Sequence, residues 1–253
     1  MVRPPGVTGF VLMAGAGSRL RGIFPNTPKP LVPVGGVPLG IRVIRQMASA
    51  GISRIIVNLH HDAQTIREGI SRWLPSGVDI LWSFESSVMG TGGGIIHAKP
   101  YFQNEDLLVI ATCDILSGYD LEEGISLHRK SGARASLVLS PFGPKSESGR
   151  IALTQSGGIA FPPFERGEDQ VFPVPHFFTG IHLISPDVLR GLGDGLSLPY
   201  SIVDLYREYL GKGGFIRGQV TYEPWLDLGT EDGYLQRESF LKGLRQGGTT
   251  TEM

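Results

Sequence analysis

The chain has a single cysteine in 253 residues, which excludes an intramolecular disulfide framework and any multi-cysteine metal site and fits a reducing compartment. It has no apolar run approaching the ~18 residues that span a bilayer. Its first residues, MVRPPG, lack the apolar centre of a signal peptide. A cytoplasmic protein with no membrane partner is expected. An excess of charge of one sign is missing as well: 23 Lys+Arg stand against 24 Asp+Glu, a net charge of −1. No general field draws such a chain to nucleic acid or to an anionic surface, so any bound anion must be held by local groups. Internal repeats are also absent. Glycine, by contrast, is abundant, with 36 residues, about twice the average share of roughly 7%. The glycines cluster, which argues for particular loops rather than low complexity.

The length suits one domain, residues 1–245, with 246–253 as a disordered tail. Val7–Met13 is a short apolar run whose length favours a buried strand. Arg42–Ala50 repeats apolar residues at helical spacing and meets a natural stop at Gly51. Strands at Arg54–Leu59, Asp79–Phe84, Asp106–Ala111 and Ala133–Pro141 alternate with helices at Asp62–Leu74, Gly92–Phe102 and Leu121–Lys130. That rhythm predicts an α/β fold with a Rossmann-like, doubly wound, mixed but mostly parallel sheet. After Pro141 the rhythm changes. A small hairpin (149–154 with 158–161), a Pro/Phe-rich loop at 162–175 and a strand at His176–Ile184 come first. A helix at Tyr200–Leu210, a strand at Gly214–Val220 and a helix at Glu231–Gly243 follow. No linker separates this part, which reads as a sugar-sized lid built on the same sheet.

The segment Leu12–Val34, "LMAGAGSRLRGIFPNTPKPLVPV", follows the first strand, where open parallel sheets bind ligands. Ala14, Gly15, Ala16 and Gly17 would let backbone N–H groups approach a phosphate chain. Arg19, and Lys29 fixed between Pro28 and Pro30, are two cations suited to a triphosphate and its departing pyrophosphate. A NAD-type glycine motif does not fit, because its third glycine is missing. On these residues alone, a Pro/Gly-rich connection with two solvated cations remains the competing reading.

The same segment resembles the signature of the sugar-1-phosphate nucleotidyltransferases (NDP-sugar pyrophosphorylases), L-A-A-G-x-G-x-R-L followed by P-K-P-L-x-P-V. Three more motifs match in order. They are "VMGTGGGI" (Val88–Ile95), "LLVIATCDIL" (Leu107–Leu116) and "WLDLGT" (Trp225–Thr230). The resemblance implies Mg²⁺-dependent, in-line attack of a sugar 1-phosphate on the α-phosphorus of a nucleoside triphosphate. It makes Arg19, Lys29 and Asp114 catalytic and Asp114 with Asp227 the metal carboxylates. It places Gly90 and Thr91 along the base, with Glu85 as a carboxylate near them or a solvated strand end. Gly149, Thr179 and Gly180 fall on the sugar side, with an exposed hairpin turn as the other reading of Gly149. The nucleotide half is about 1–141 and the sugar half 142–230, with no C-terminal left-handed β-helix. Short members such as the N-acetylmuramate-1-phosphate uridylyltransferases are the nearest subgroup, with mannose- and heptose-1-phosphate guanylyltransferases close to them.

The chain departs from the family pattern at three places. Gly22 and Phe24 replace a Pro and a Thr, Cys113 stands where the family has the glycine of N-G-D, and the E-K-P lysine is missing. A non-catalytic nucleotide-sugar sensor or a phosphocholine-type cytidylyltransferase are therefore the alternatives, and a homo-oligomer is left open. His60 and His61 lack partners at metal-ligand spacing. Cys113 has no evident activating base, and Trp73 and the phenylalanines read as packing.

Overall fold

The structure is a computed structural model describing residues 6–143, 150–162, 172–193, 195 and 197–246. The expected tail, Gly149 and most of the Pro/Phe-rich loop lie outside the described residues. The strands are β1 (Val7–Leu12), β2 (Pro33–Val34), β3 (Val37–Pro38), β4 (Arg54–Leu59), β5 (Asp79–Phe84), β6 (Leu107–Thr112), β7 (Ile115–Ser117), β8 (Ala135–Ser140), β9 (Arg150–Leu153), β10 (Ile159–Ala160), β11 (Phe172–Ile184), β12 (Ile216–Val220) and β13 (Trp225–Asp227). The α-helices are α1 (Leu39–Ser49), α2 (Ala63–Ser71), α3 (Gly90–His97), α4 (Leu121–Ser131), α5 (Ile202–Gly211) and α6 (Glu231–Gln246).

The main sheet runs β10-β9-β11-β6-β1-β4-β5, with β8 and then β12 branching from β11. β6, β1, β4 and β5 are mutually parallel, as are β8 and β12, whereas β11 is antiparallel to β6, β8 and β9. The period of two along each strand sorts its side chains into two cores. Val7 and Val11 of β1, Ile55 and Val57 of β4, and Val109 of β6 share one core with Ile44 of α1, Ile66 of α2 and Ile125 of α4. Phe10, Ile56, Leu108 and Ile110 face the other, with Ile95 of α3 and Leu205 of α5. Each such side chain contributes about 1.5–3 kcal/mol on burial. Helices therefore cover both faces, giving the expected mixed, mostly parallel architecture.

Differences from the expected boundaries have local causes. The third helix stops at His97 and continues as a 3₁₀ turn at Lys99–Tyr101, because Pro100 supplies no N–H and disfavours helix in the residue before it. The fifth helix begins at Ile202 rather than Tyr200, with Ser201 Oγ accepting from Asp204 N at 3.0 Å as its N-cap. β11 starts four residues early and reaches from β9 across to β6. The pattern did not predict two short ribbons. β2 and β3 turn at Gly35 and Gly36, whose φ values of +55° and +79° suit a two-residue hairpin. β13 pairs antiparallel with β7, setting Asp227 opposite Ile115. α6 is the last described element, so no β-helix occurs among the described residues. None of the described helices is long and apolar enough to cross a membrane.

Candidate active site

A cleft of about 340 Å³ opens at the carboxyl ends of β1, β4, β5 and β6, the end at which parallel sheets bind ligands. Its lining includes Ala14, Gly15, Ala16, Gly17, Arg19, Lys29, Glu85, Gly90, Thr91 and Asp114. A larger cleft of about 540 Å³ beside Asp106, Arg134, Asp187 and Arg190 lies at the opposite, amino end of the sheet. None of the predicted site residues lines it.

β1 ends at Leu12, and the chain then crosses the open edge of the sheet. Gly17 adopts φ +60°, and a Cβ there would stand 2.7 Å from Lys29 Cβ. Glycine at 17 thus lets the Pro-Lys-Pro turn close against the loop. Gly15 differs, since an added Cβ would meet nothing within 4 Å. The space beside its backbone belongs to the cleft.

β6 delivers Asp114 just beyond its carboxyl end, and the β7–β13 ribbon returns Asp227 to the same place. Their convergence is registered at Gly229. A Cβ on Gly229 would lie 2.8 Å from Asp227 Oδ1, 2.9 Å from Asp114 Oδ2 and 3.0 Å from Arg19 Nη2. Lys29 Nζ donates to Asp114 Oδ2, closing a cluster of two cations and two carboxylates. Burial pushes the Asp114 carboxyl up, but the charge and hydrogen bond of Lys29 more than offset this and hold it below its ordinary value. Burial pulls the Lys29 ammonium down, and the Asp114 charge reverses that and raises it. Burial and then the Asp114 charge raise Asp227, against the pull of the Gly229 N–H donated at 2.6 Å. Two hard oxygen donors, one of them raised by its like-charged neighbour, fit a small divalent cation. Among the described residues no cluster of three or more His, Cys, Asp or Glu forms a metal site, so phosphate oxygens and water would complete any such coordination.

Of the residues expected near the base, Glu85 is buried and its Oε1 accepts from Asn58 Nδ2 at 2.7 Å. It is not a solvated strand end. Asn58 Oδ1 in turn accepts from Met13 N at 2.8 Å, tying β4 to the glycine loop. Asn58 lines the cleft and was missed in the sequence, where its signal is a lone amide inside the apolar run "RIIVNL". Gly90 has φ +76°, and a Cβ on it would strike Tyr200 O at 2.5 Å. The "GTGGG" glycines thus also serve the close approach of residues 200–201.

Of the residues expected to meet the sugar, Gly180 has φ +80° inside a bulge of β11, and a Cβ there would lie 2.6 Å from Thr112 Oγ1. Thr179 is buried, and its hydroxyl donates to Val138 O at 2.9 Å. It therefore fastens the bulge to β8 instead of presenting its hydroxyl to the cleft. Gly149 lies outside the described residues.

Two of the three departures acquire local explanations, and the segment that lacks the E-K-P lysine, from 163 on, lies outside the described residues. A Cβ on Gly22 would approach Glu231 Oε1 at 2.2 Å, and Phe24 packs edge-on against Tyr234 with ring centroids 5.0 Å apart. Both adapt the loop to α6. Cys113 is buried in the core beneath the cleft, and burial followed by the Asp114 charge pushes its thiol up to about 12. It also contributes to the lining of the cleft.

Comparison with known proteins places these features. Mannose-1-phosphate guanylyltransferase of Mycobacterium tuberculosis is 26% identical over 232 residues, 91% of this chain and 63% of the relative. UTP–glucose-1-phosphate uridylyltransferase of Synechocystis sp. is 26% identical over 241 residues, 90% of this chain and 61% of the relative. The chain thus spans less than two thirds of the length of these curated relatives. UDP-glucose pyrophosphorylase from Acinetobacter baumanii superposes with a TM-score of 0.76 at 19% identity, covering 98% of this chain and 96% of that one, a likeness of fold. The nucleotidyl transferase family profile matches residues 8–243, and the chain belongs to the nucleotidyl transferase family.

Proposed function

We propose that this protein transfers a nucleotidyl group from a nucleoside triphosphate to a sugar 1-phosphate, with Mg²⁺, releasing pyrophosphate. The observation that carries this reading is the convergence of Arg19, Asp114 and Asp227 within about 3 Å of one point at Gly229, with Lys29 on Asp114, beside a glycine loop in one cleft. Relatives named for guanylyl and for uridylyl transfer support the reaction class and leave the base and sugar to direct screening. Residues 1–141 form the nucleotide half and 142–230 the acceptor half of one domain.

Joining two anions is chiefly a problem of charge and alignment, with little covalent work for side chains. The backbone of Ala14–Gly17 holds the triphosphate against the open side of Gly15. Arg19 neutralises the departing β- and γ-phosphates. Lys29, released from Asp114, neutralises charge at the α-phosphate. Asp114 and Asp227 would hold Mg²⁺, which would supply Lewis-acid polarisation. On the acceptor side, the Gly180 bulge shapes the floor next to Thr112. The alternatives of a sensor and a phosphocholine-type transferase have no supporting feature. All four charged groups are assembled, and Gly22 and Phe24 fall on positions that pack against α6.

The test is pyrophosphate release with Mg²⁺, screening UTP, GTP, CTP, dTTP and ATP against a panel of sugar 1-phosphates that includes N-acetylmuramate-1-phosphate. Turnover with one pair, lost in Asp114→Asn, is expected. Triphosphate binding without turnover on any acceptor would overturn the proposal in favour of the sensor.

A further inference from the structure

The base-side loop is fastened to the acceptor-side helix α5. Tyr200 N donates to Met89 O at 2.8 Å, and Tyr200 O accepts from Gly92 N at 2.9 Å and Gly93 N at 3.2 Å. These contacts are close because a Cβ on Gly92 would meet Ser201 O at 2.6 Å. One side chain completes the connection: Thr91 Oγ1 accepts from Ile202 N, the first amide of α5, at 2.9 Å. Thr91 is exposed and lines the cleft. Its oxygen caps the helix, so that bond leaves its hydroxyl hydrogen unused.

A hydroxyl that accepts one hydrogen bond and donates another becomes a better acceptor as it donates, because bonds in a chain polarise one another. The first turn of a helix is where such a change is felt, since its N–H groups have no partner within the helix. α5 passes the change on. Its Tyr206 hydroxyl is bonded to His182 Nδ1 at 2.6 Å, and His182 lies on β11, two residues from Gly180.

We propose that Thr91 is a positioning residue that couples nucleotide occupancy of the cleft to the first turn of α5 and through it to the β11 bulge on the acceptor side. This inference rests on the nucleotidyl-transfer reading.

Hydrogen exchange tests it in the intact protein, with UTP, GTP, CTP, dTTP and ATP added in turn with Mg²⁺ and no acceptor. In the unmodified protein the triphosphate that protects residues 90–93 is expected to slow exchange at residues 202–205 by about fivefold, the worth of roughly one hydrogen bond. Thr91→Ser retains the hydroxyl and should retain this slowing. Thr91→Val and Thr91→Ala should still show protection at 90–93 but none transmitted to 202–205. Undiminished slowing at 202–205 in both of the latter variants, with triphosphate bound, would overturn the coupling and leave the transferase reading intact. If no triphosphate protects 90–93 in the unmodified protein, the transferase reading fails and the coupling fails with it.

Discussion

Lys29 and Asp114, 85 residues apart in sequence, are hydrogen-bonded through Nζ and Oδ2 at the centre of the cleft. The cation proposed to meet the α-phosphate therefore rests on a carboxylate proposed to hold the metal. Each keeps the other charged in a site that excludes most solvent. Lys29→Met should lower kcat/KM by about 10²–10³, the loss typical of one preorganised electrostatic group. It should also cost about 1–3 kcal/mol of stability, because it leaves the partly buried Asp114 carboxylate without its partner. Urea unfolding supplies the check. Adding Asp114→Asn to Lys29→Met should recover most of the lost stability while leaving the protein inactive. No recovery would mean that the pair is not coupled in solution.

Gly229 separates catalysis from folding. An added methyl would lie within about 3 Å of Asp114, Asp227 and Arg19 at once, yet the Gly229 N–H donated to Asp227 Oδ1 would survive. Side-chain ends can shift more cheaply than backbone. Gly229→Ala is therefore expected to melt within a few degrees of the unmodified protein while losing about 10²-fold in kcat/KM, since misplacement by about 1 Å costs that much. Steady-state kinetics beside a thermal melt decides the matter, and unchanged kcat/KM would contradict the proposed convergence on substrate.

Two glycines of one loop should fail in different ways. Gly17→Ala places a Cβ at positive φ and 2.7 Å from Lys29 Cβ, so it should destabilise by about 1–3 kcal/mol. Gly15→Ala meets no protein atom within 4 Å and should leave stability unchanged while weakening triphosphate binding. Isothermal titration and urea unfolding of both variants give the comparison. Equal nucleotide affinity in Gly15→Ala would show that the phosphates do not lie against that face of the loop.

The sheet was legible because β1, β4 and β6 are short apolar runs whose period of two becomes two cores, a pattern that needs no distant information. Motif spacing picked out Arg19, Lys29, Asp114 and Asp227, and the fold brings these four side chains together. Relationships between distant segments were less accessible. The β7–β13 ribbon is only three residues long on each side, too short to show alternation, yet it carries Asp227 to Asp114. The second duty of the "GTGGG" loop depends on Tyr200 and Ser201 arriving against it, which no local pattern encodes. Thr179 looked like a ligand-facing hydroxyl until its partner, Val138 O, was placed beside it by sheet register. Asn58 is a buried amide on the cleft whose two partners come from two other segments.

His182 should govern much of the acid sensitivity. It is fully buried on β11, its Nδ1 is bonded to the Tyr206 hydroxyl at 2.6 Å, and burial pulls its pKa down to about 3. Its Nε2 has no hydrogen-bond partner among the described residues, so protonation there would place an uncompensated charge in the core. His128 is similar, drawn down to about 4 by burial and then by the charges of Arg129 and Arg134. As pH falls below the ordinary histidine value near 6.5, the unfolded chain takes up protons that the folded chain refuses. Stability is therefore full above about pH 6.5 and lost on acidification, down to about pH 4 for His128 and about pH 3 for His182. Each histidine contributes a slope of about 1.4 kcal/mol per pH unit within its window. Replacing His182 and its partner together, as His182→Leu with Tyr206→Phe, removes both polar groups and should flatten that limb by one proton. Urea unfolding at pH 7 and pH 4.5 measures it: the loss of stability between the two should shrink by about 2–3 kcal/mol in the double variant, and an unchanged loss would show that His182 is already protonated in the folded protein.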